Sequence, residues 1–241
     1  MRTSALLLLL ALSGVEGLAG CAAPPAEDVR GFRYTPTSDY DVRVIEGWTV
    51  RVNRALLHPT SAAGGPALRL LAHRLHEVSR SIPLGAAEEL RRVPIWLGLD
   101  DGHSPLAEYH PSAAWLREHG YNPEKAKGVE IGNASRFLLA DREQPCMLLH
   151  ELAHAYHDLA LGFDHPGLLA AYAAAKTSGA YDAVLRSTGK TERHYALTDA
   201  KEYFAEGTEA YFGVNDFFPF VRAELEKHDP GLFKVLGEVW K

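Results

Sequence analysis

The chain has 241 residues, which is enough for one domain or at most two. Its composition, 46% apolar and 23% charged, is that of an ordinary globular protein and excludes collagen-like, coiled-coil and disordered classes. With 25 basic against 31 acidic residues, the net charge is −6. Nucleic-acid binding is therefore not expected, because it depends on a basic surface that releases counterions from phosphates.

The first twenty residues have the pattern of a signal peptide. A positive charge at Arg2 precedes residues 5–12, an apolar run too short to span a hydrocarbon core of about 30 Å. Residues 18–21, with the sequence L-A-G-C, resemble the bacterial lipobox. The resemblance implies that residues 1–20 are a lipoprotein signal peptide and that Cys21 becomes an N-terminus acylated with chains such as palmitate.

Acylation of Cys21 would anchor the protein to a membrane of the bacterial cell envelope, since each buried CH₂ contributes about 0.8 kcal/mol. Ala22 after the cysteine, in place of Asp, favours the outer membrane. If the lipobox is not used, the protein is secreted. Residues 21–41, rich in Pro, Ser, Thr and Asp, are predicted to form a linker and an irregular lead-in.

Residues 42–241 are predicted to form a single α+β domain, because strands come first and helices later, with the helices gathered on one side of a sheet. The predicted strands are 42–45 and 48–52, which form either a hairpin or one bent strand, followed by 93–99 and 129–131. A turn is expected at 100–102, and alternation in the last strand is expected to expose Glu130. The predicted helices are 65–81, 112–119, 143–161, 167–176, 199–212 and 219–240, the last with a break at 228–231.

The central motif is H-E-L-A-H at residues 150–154, which matches H-E-x-x-H. Histidines four residues apart lie one helical turn above each other, so both can reach one tetrahedral cation at about 2.0–2.1 Å. Glu151 lies about 100° around the helix, where it can accept a proton from water at the metal. An apolar stripe occupies the opposite side of this helix. The side that carries the motif holds Cys146, Met147, His150, His154, His157 and Asp158.

A catalytic zinc ion needs a third protein ligand and an open position. The metzincin pattern requires Gly at 157 and His at 160, and this chain has His157 and Ala160 there. Three glutamates share one face of the helix predicted at 199–212, namely Glu202, Glu206 and Glu209. A cation would relieve their mutual repulsion. However, Asp199 followed by Glu202 also fits the capping box of a solvated helix, so the spacing alone leaves both interpretations open.

The H-E-x-x-H motif, then Tyr195, then E-Y-F-A-E at residues 202–206, resembles the catalytic domain of anthrax lethal factor and its relatives, zinc metallopeptidases of the gluzincin type. The resemblance covers roughly residues 140–215. It implies a zincin-like domain with a small mixed sheet and a helical C-terminal part that binds one Zn²⁺ per chain. It also implies the roles of five residues: His150, His154 and Glu202 as zinc ligands, Glu151 as general base, and Tyr195 as the stabiliser of the transition state.

The sequence also supports predictions for residues outside the set of zinc ligands, base and transition-state stabiliser. Glu206, one turn beyond Glu202, is predicted to hydrogen-bond a ligand histidine as an outer partner. Residues 127–131 are the candidate edge strand that would pair with an extended substrate. Asp158 is interpreted as an acid on the helix surface, and Cys146 as a small buried residue. Three residues fit either the wall of a pocket or the core: Tyr109, His110 and Trp115.

Together these features predict a lipid-anchored zinc peptidase, more typical of an endopeptidase than of an exopeptidase, whose partners are a peptide or protein substrate and the membrane. Two alternatives stay open. One is a zinc hydrolase of a non-peptide amide, such as cell-wall material. The other is a catalytically silent binding lipoprotein with a zincin fold, which Glu151 disfavours because such a protein needs no general base.

Overall fold

The structure is a computed structural model that describes residues 34–99 and 106–241. Within them the main sheet has five strands in the spatial order β1-β2-β3-β5-β4. These strands are β1 (Tyr40–Ile45), β2 (Trp48–Asn53), β3 (Ile95–Leu97), β4 (Ala107–Tyr109) and β5 (Val129–Ile131). The sheet is mixed: β2, β3 and β5 run parallel, while β1 and β4 are antiparallel to their neighbours. A separate two-stranded sheet pairs β6 (Val184–Leu185) with β7 (Thr191–Glu192).

The α-helices of the described residues alternate with the strands in the first half of the chain and dominate the second half. They are α1 (Gly64–Ser81), α2 (Leu84–Leu90), α3 (Ala113–Glu118), α4 (Ala134–Ala140), α5 (Met147–Tyr156), α6 (Pro166–Ser178), α7 (Ala200–Phe212), α8 (Arg222–His228) and α9 (Pro230–Val239). Helix α5 continues into a π-helical turn, His157–Leu161. The predicted α+β class and a mixed sheet are therefore present.

Local sequence explains the elements that were predicted. The hairpin turns at Glu46 and Gly47, whose φ angles of 50° and 90° suit a two-residue turn between right-twisted strands. Helix α1 buries apolar residues spaced three and four apart. It packs against α2, α4 and α5. The short helices α2 and α4 and the three-residue strand β4 were not predicted, because none is long enough to establish a hydrophobic period.

The expectation that Glu130 is exposed was wrong. Strand β5 lies inside the sheet between β3 and β4, and Glu130 is fully buried. Its carboxylate accepts a hydrogen bond from Lys125 Nζ, and its Oε2 lies 2.8 Å from His110 Nε2. Burial acts to raise the pKa of Glu130, but the bonds with His110 and Lys125 outweigh it and lower that pKa. Alternation failed here because both faces of this strand are covered.

Several predictions concern parts of the chain outside the described residues. The signal peptide at 1–20, the acylated Cys21, the first part of the linker and the turn at 100–102 lie there. Of the lead-in, residues 37–39 form a 3₁₀ turn, and strand β1 begins two residues before the predicted start at 42. Among the described helices, none combines the length and apolar character needed to cross a membrane.

His157, which the helical projection placed beside His150 and His154, packs into the core instead. It is fully buried, and its ring lies 5.1 Å from that of Phe163 and 4.9 Å from that of Phe204. Neither ring nitrogen has a hydrogen-bond partner among the described residues. Burial, assisted by the charge of His154, lowers the pKa of His157 to about 4.

The low pKa of His157 predicts an acid-sensitive fold. The unfolded chain binds a proton at this residue near pH 6.5, whereas the folded chain resists protonation until about pH 4. Stability from this group is therefore complete above pH 6.5 and is lost as the pH falls toward 4, by roughly 2–3 kcal/mol. We expect His157→Leu to lose less free energy of unfolding than the wild type between about pH 7.5 and about pH 4.5. His73→Leu, on an exposed site of α1, is the control, and an unchanged pH dependence in His157→Leu would contradict the prediction.

Candidate metal centre

Two packed helices, α5 and α7, build the candidate site. Helix α5 buries Leu148, Leu152 and Ala155 in the core, which directs His150 and His154 away from it. Helix α7 begins at Asp199, whose Oδ1 accepts hydrogen bonds from the main-chain N–H groups of Lys201 and Glu202 at 2.7 and 3.1 Å. This cap fixes the first turn of α7, and Glu202 lies in that turn. The packing of α5 on α7 brings the three side chains together.

The ligand atoms predicted for zinc converge in the structure. The Nε2 atoms of His150 and His154 lie 3.1 Å apart. Oε2 of Glu202 lies 3.1 Å from Nε2 of His150 and 3.4 Å from Nε2 of His154. Glu202, whose orientation the spacing alone left open, thus faces the histidines rather than bulk solvent.

These distances fit a tetrahedral metal ion. Ligands bonded at 2.0–2.1 Å at tetrahedral angles are separated by roughly 3.3 Å, close to the three separations observed. Two imidazole nitrogens and one carboxylate oxygen are also a donor set that zinc uses in catalytic sites with three protein ligands. The residues therefore fit the ion that the sequence motif implies. A His/Glu group able to hold a metal is present, while the identity of the metal is a matter for proposal.

The outer partner of the site differs from the prediction. Oε1 of Glu209 lies 2.7 Å from Nδ1 of His150, whereas Oε1 of Glu206 lies 3.8 Å from it, beyond hydrogen-bond distance. Glu206 instead accepts a hydrogen bond from Asn215 Nδ2 at 2.8 Å. Glu209 thus orients the ring of His150, which leaves Nε2 to face the metal position. The sequence had already placed Glu209 on the acidic face of this helix, together with Glu202 and Glu206.

The electrostatics of the site favour a cation. Burial acts to raise the pKa of Glu202, but its contacts with His150 and His154 outweigh burial and lower that pKa below the ordinary value. Burial acts to lower the pKa of His150, but its bonds with Glu202 and Glu209 raise it well above the ordinary value. Glu202 therefore stays anionic, and the carboxylates around His150 favour a positive charge there. Burial raises the pKa values of Glu206 and Glu209, which lie side by side in the interior.

A cleft of about 900 Å³ opens onto the site, and its walls include the ligands, Glu151 and Tyr195. Tyr195 begins a 3₁₀ turn, Tyr195–Leu197, just before α7 and is 49% exposed. Burial and the charge of Glu202 raise the pKa of Tyr195, so its hydroxyl stays protonated. Oε2 of Glu151 accepts a hydrogen bond from the main-chain N–H of Tyr109 at 2.8 Å. The arrangement places a His/Glu group that could hold a metal, the carboxylate of Glu151 and the hydroxyl-bearing side chain of Tyr195 around one open cleft.

No protein-family model matches the chain, and comparisons with curated proteins and with solved structures find no match. The resemblance to lethal factor-like peptidases therefore depends on the sequence motifs quoted above.

The predicted edge strand was wrong. Residues 129–131 form β5 inside the sheet, and the outermost described strand on this side is β4, Ala107–Tyr109. Strand β4 lines the cleft, as do His110 and Trp115, so these residues belong to the wall of the pocket. Strand β4 was not predicted because a strand of three residues is too short to show a recognisable alternation of apolar and polar positions.

Two other side chains near the motif take structural positions. The thiol of Cys146 accepts a hydrogen bond from the main-chain N–H of Val214, with Sγ and N 3.2 Å apart, and burial raises its pKa to about 11. His194 is buried and caps the 3₁₀ turn through Nδ1, which accepts from the N–H of Ala196 at 3.1 Å. Burial lowers the pKa of His194 to about 3, which keeps the ring neutral. Neither Cys146 nor His194 belongs to the groups of described residues that could hold a metal.

Proposed function

We propose that this protein is a zinc-dependent peptidase of the zincin type, with one Zn²⁺ held by His150, His154 and Glu202. The observation that carries the proposal is the approach of their three ligand atoms to within 3.1–3.4 Å of one another at the wall of an open cleft. Glu151, adjacent to His150 on the same helix, supports a hydrolytic rather than a purely structural site.

In this proposal Glu151, Tyr195 and Glu209 each have a separate role in peptide hydrolysis. A bound Zn²⁺ supplies Lewis acidity, which activates water and polarises the scissile carbonyl. Glu151 accepts the proton of the attacking water and delivers it to the leaving nitrogen. The hydroxyl of Tyr195 donates a hydrogen bond to the oxyanion as it develops, a contribution typically worth about 10²–10³ in rate. Glu209 holds the ring of His150 in the tautomer that presents Nε2.

Metal removal tests the proposal on the unaltered protein. We expect the purified full chain to bind about one Zn²⁺ per chain and to cleave peptides from a mixed fluorogenic library. Dialysis against a chelator should abolish cleavage, and added Zn²⁺ should restore it. Peptidoglycan fragments are assayed in parallel. Cleavage of these fragments alone would favour the non-peptide hydrolase, and zinc binding without any turnover would favour the silent binding protein.

We also propose that the enzyme is tethered to the bacterial cell envelope through Cys21. The support is the sequence of residues 1–21, which combines a short apolar run with a lipobox-like end. The mass spectrum of the native protein should show a chain that begins at Cys21 and carries acyl chains on that residue. An unmodified Cys21 would refute the anchor.

A further inference from the structure

Tyr109, the last residue of β4, bonds to the metal-site helix at two points. Its main-chain N–H donates to Oε2 of Glu151 at 2.8 Å, and its hydroxyl donates to Oδ2 of Asp158 at 2.7 Å. Glu151 and Asp158 are seven residues apart, about two helical turns, and therefore face the same side. Strand β4 is therefore hydrogen-bonded at two points to the helical segment that carries Glu151, the proposed base. Glu151 itself accepts one of the two bonds.

Lys127 adds a third member to this contact. Its Nζ lies 2.5 Å from Oδ2 of Asp158, the same oxygen that accepts the hydroxyl of Tyr109. The backbone of Lys127 has φ of 59°, the left-handed region that a side-chain-bearing residue rarely adopts. Its N–H donates to the carbonyl of His110 at 2.6 Å, which holds this conformation in place beside the end of β4.

Both members of this ion pair, Asp158 and Lys127, lie in segments with an uncommon backbone conformation. Asp158 lies in the π-helical turn His157–Leu161, and Lys127 has a left-handed backbone. Both conformations are uncommon overall and are frequent at functional sites. Asp158, interpreted from the sequence as a surface acid, is only 15% exposed at its side chain. The contact therefore joins two segments with uncommon backbone conformations.

We propose that Tyr109, Asp158 and Lys127 form a positioning clamp that orients the carboxylate of Glu151 toward the metal centre. The hydroxyl of Tyr109 and the ammonium of Lys127 fix β4 against α5, which places the N–H of Tyr109 on one oxygen of Glu151. That bond restricts the rotamers of Glu151 and keeps its carboxylate at the cleft. The three clamp members are positioning residues because they act through Glu151, and the inference rests on the proposed function only for the role of Glu151 as base.

Hydrogen exchange at the amide of Tyr109 tests the clamp without any need for activity. On β4 the N–H of His110 and the carbonyl of Leu106 bond to the β5 side, so the N–H of Tyr109 points to the open edge. Its protection in the full chain therefore depends on Glu151. We expect exchange to accelerate by about 10-fold or more in Asp158→Ala and Tyr109→Phe, and also in Glu151→Ala, which removes the acceptor.

Two further variants keep this test specific. Tyr156→Phe removes another hydroxyl hydrogen bond from the same helix, that of Tyr156 to the carbonyl of Val239 at 3.0 Å, and should leave the amide of Tyr109 protected. Lys127→Met should behave like Asp158→Ala, and Lys127→Arg should keep the amide protected because it retains the cation. Since Lys127 is 49% exposed at its side chain, these changes should leave the fold intact.

Catalysis provides a second readout. In Asp158→Ala and Tyr109→Phe we expect kcat for a library peptide to fall by about 10–100-fold, with KM and bound zinc unchanged. A structural defect would instead lower zinc content or raise KM. If the wild type cleaves no peptide, the proposed function fails while the exchange experiment still decides the clamp. Unchanged exchange in Asp158→Ala and Tyr109→Phe, alongside faster exchange in Glu151→Ala, would overturn the clamp. Unchanged exchange in Glu151→Ala would also overturn it.

Discussion

Glu151→Gln should retain zinc and lose turnover. The amide has nearly the same shape as the carboxylate, and its oxygen can still accept the hydrogen bond from the N–H of Tyr109. It cannot accept a proton from water. General-base catalysis contributes about 10²–10⁴ in rate, so kcat should fall by that amount while the metal content and the melting temperature stay at the wild-type values.

The matched control for this variant is Glu143→Gln. It makes the same chemical change at an exposed residue four positions before the start of α5, away from the ligands. Zinc content, measured by elemental analysis, and steady-state cleavage of a library peptide should both be normal in the control. Cleavage by Glu151→Gln at the wild-type rate would show that another group is the base.

Glu202→Ala should lose both the metal and the activity. The substitution removes one of three protein ligands and leaves His150 and His154 to hold the ion alone. Loss of an outer hydrogen-bond partner typically lowers metal affinity by about 10–100-fold, so the loss of a direct ligand should exceed 100-fold. Equilibrium dialysis with Zn²⁺ measures this directly, and cleavage should be undetectable at zinc concentrations that saturate the wild type.

Glu224→Ala controls for the position of Glu202 within its helix. Glu224 occupies the equivalent place near the start of α8, where its Oε2 accepts hydrogen bonds from the N–H groups of Phe220 and Val221. Its removal tests the loss of a helix-capping glutamate alone and should leave zinc binding normal. Glu202→Gln provides a second variant in case the alanine protein folds poorly. Full zinc retention in a folded Glu202 variant would refute the ligand assignment.

Features with a local physical cause were predictable from the sequence. The amphipathic helix α1 follows from apolar residues spaced by three and four. The start of α7 follows from Asp199 as a cap. The pairing of His150 with His154 follows from the pitch of a single helix, which places residues four apart on one side. Each of these depends only on residues within a few turns of one another.

Features that depend on packing were missed or misassigned. Glu130 was predicted to be exposed because a strand cannot reveal from its own residues whether its second face is covered. Glu206 was chosen over Glu209 because both lie on the face of Glu202, and only the crossing of α5 and α7 decides which carboxylate reaches His150. His157 left the projected face for the core, where it contacts Phe163 and Phe204.

By itself the sequence determined that two imidazoles and an adjacent carboxylate share one turn of helix, with an acidic helix downstream. The tertiary structure decided which distant carboxylate completes the set, which one orients a histidine, and which strand borders the cleft. The physical reason is the distance along the chain over which each interaction acts. Helical pitch and capping act over a few residues, whereas the contact between His150 and Glu202 joins positions 52 residues apart and exists only once α5 and α7 have packed.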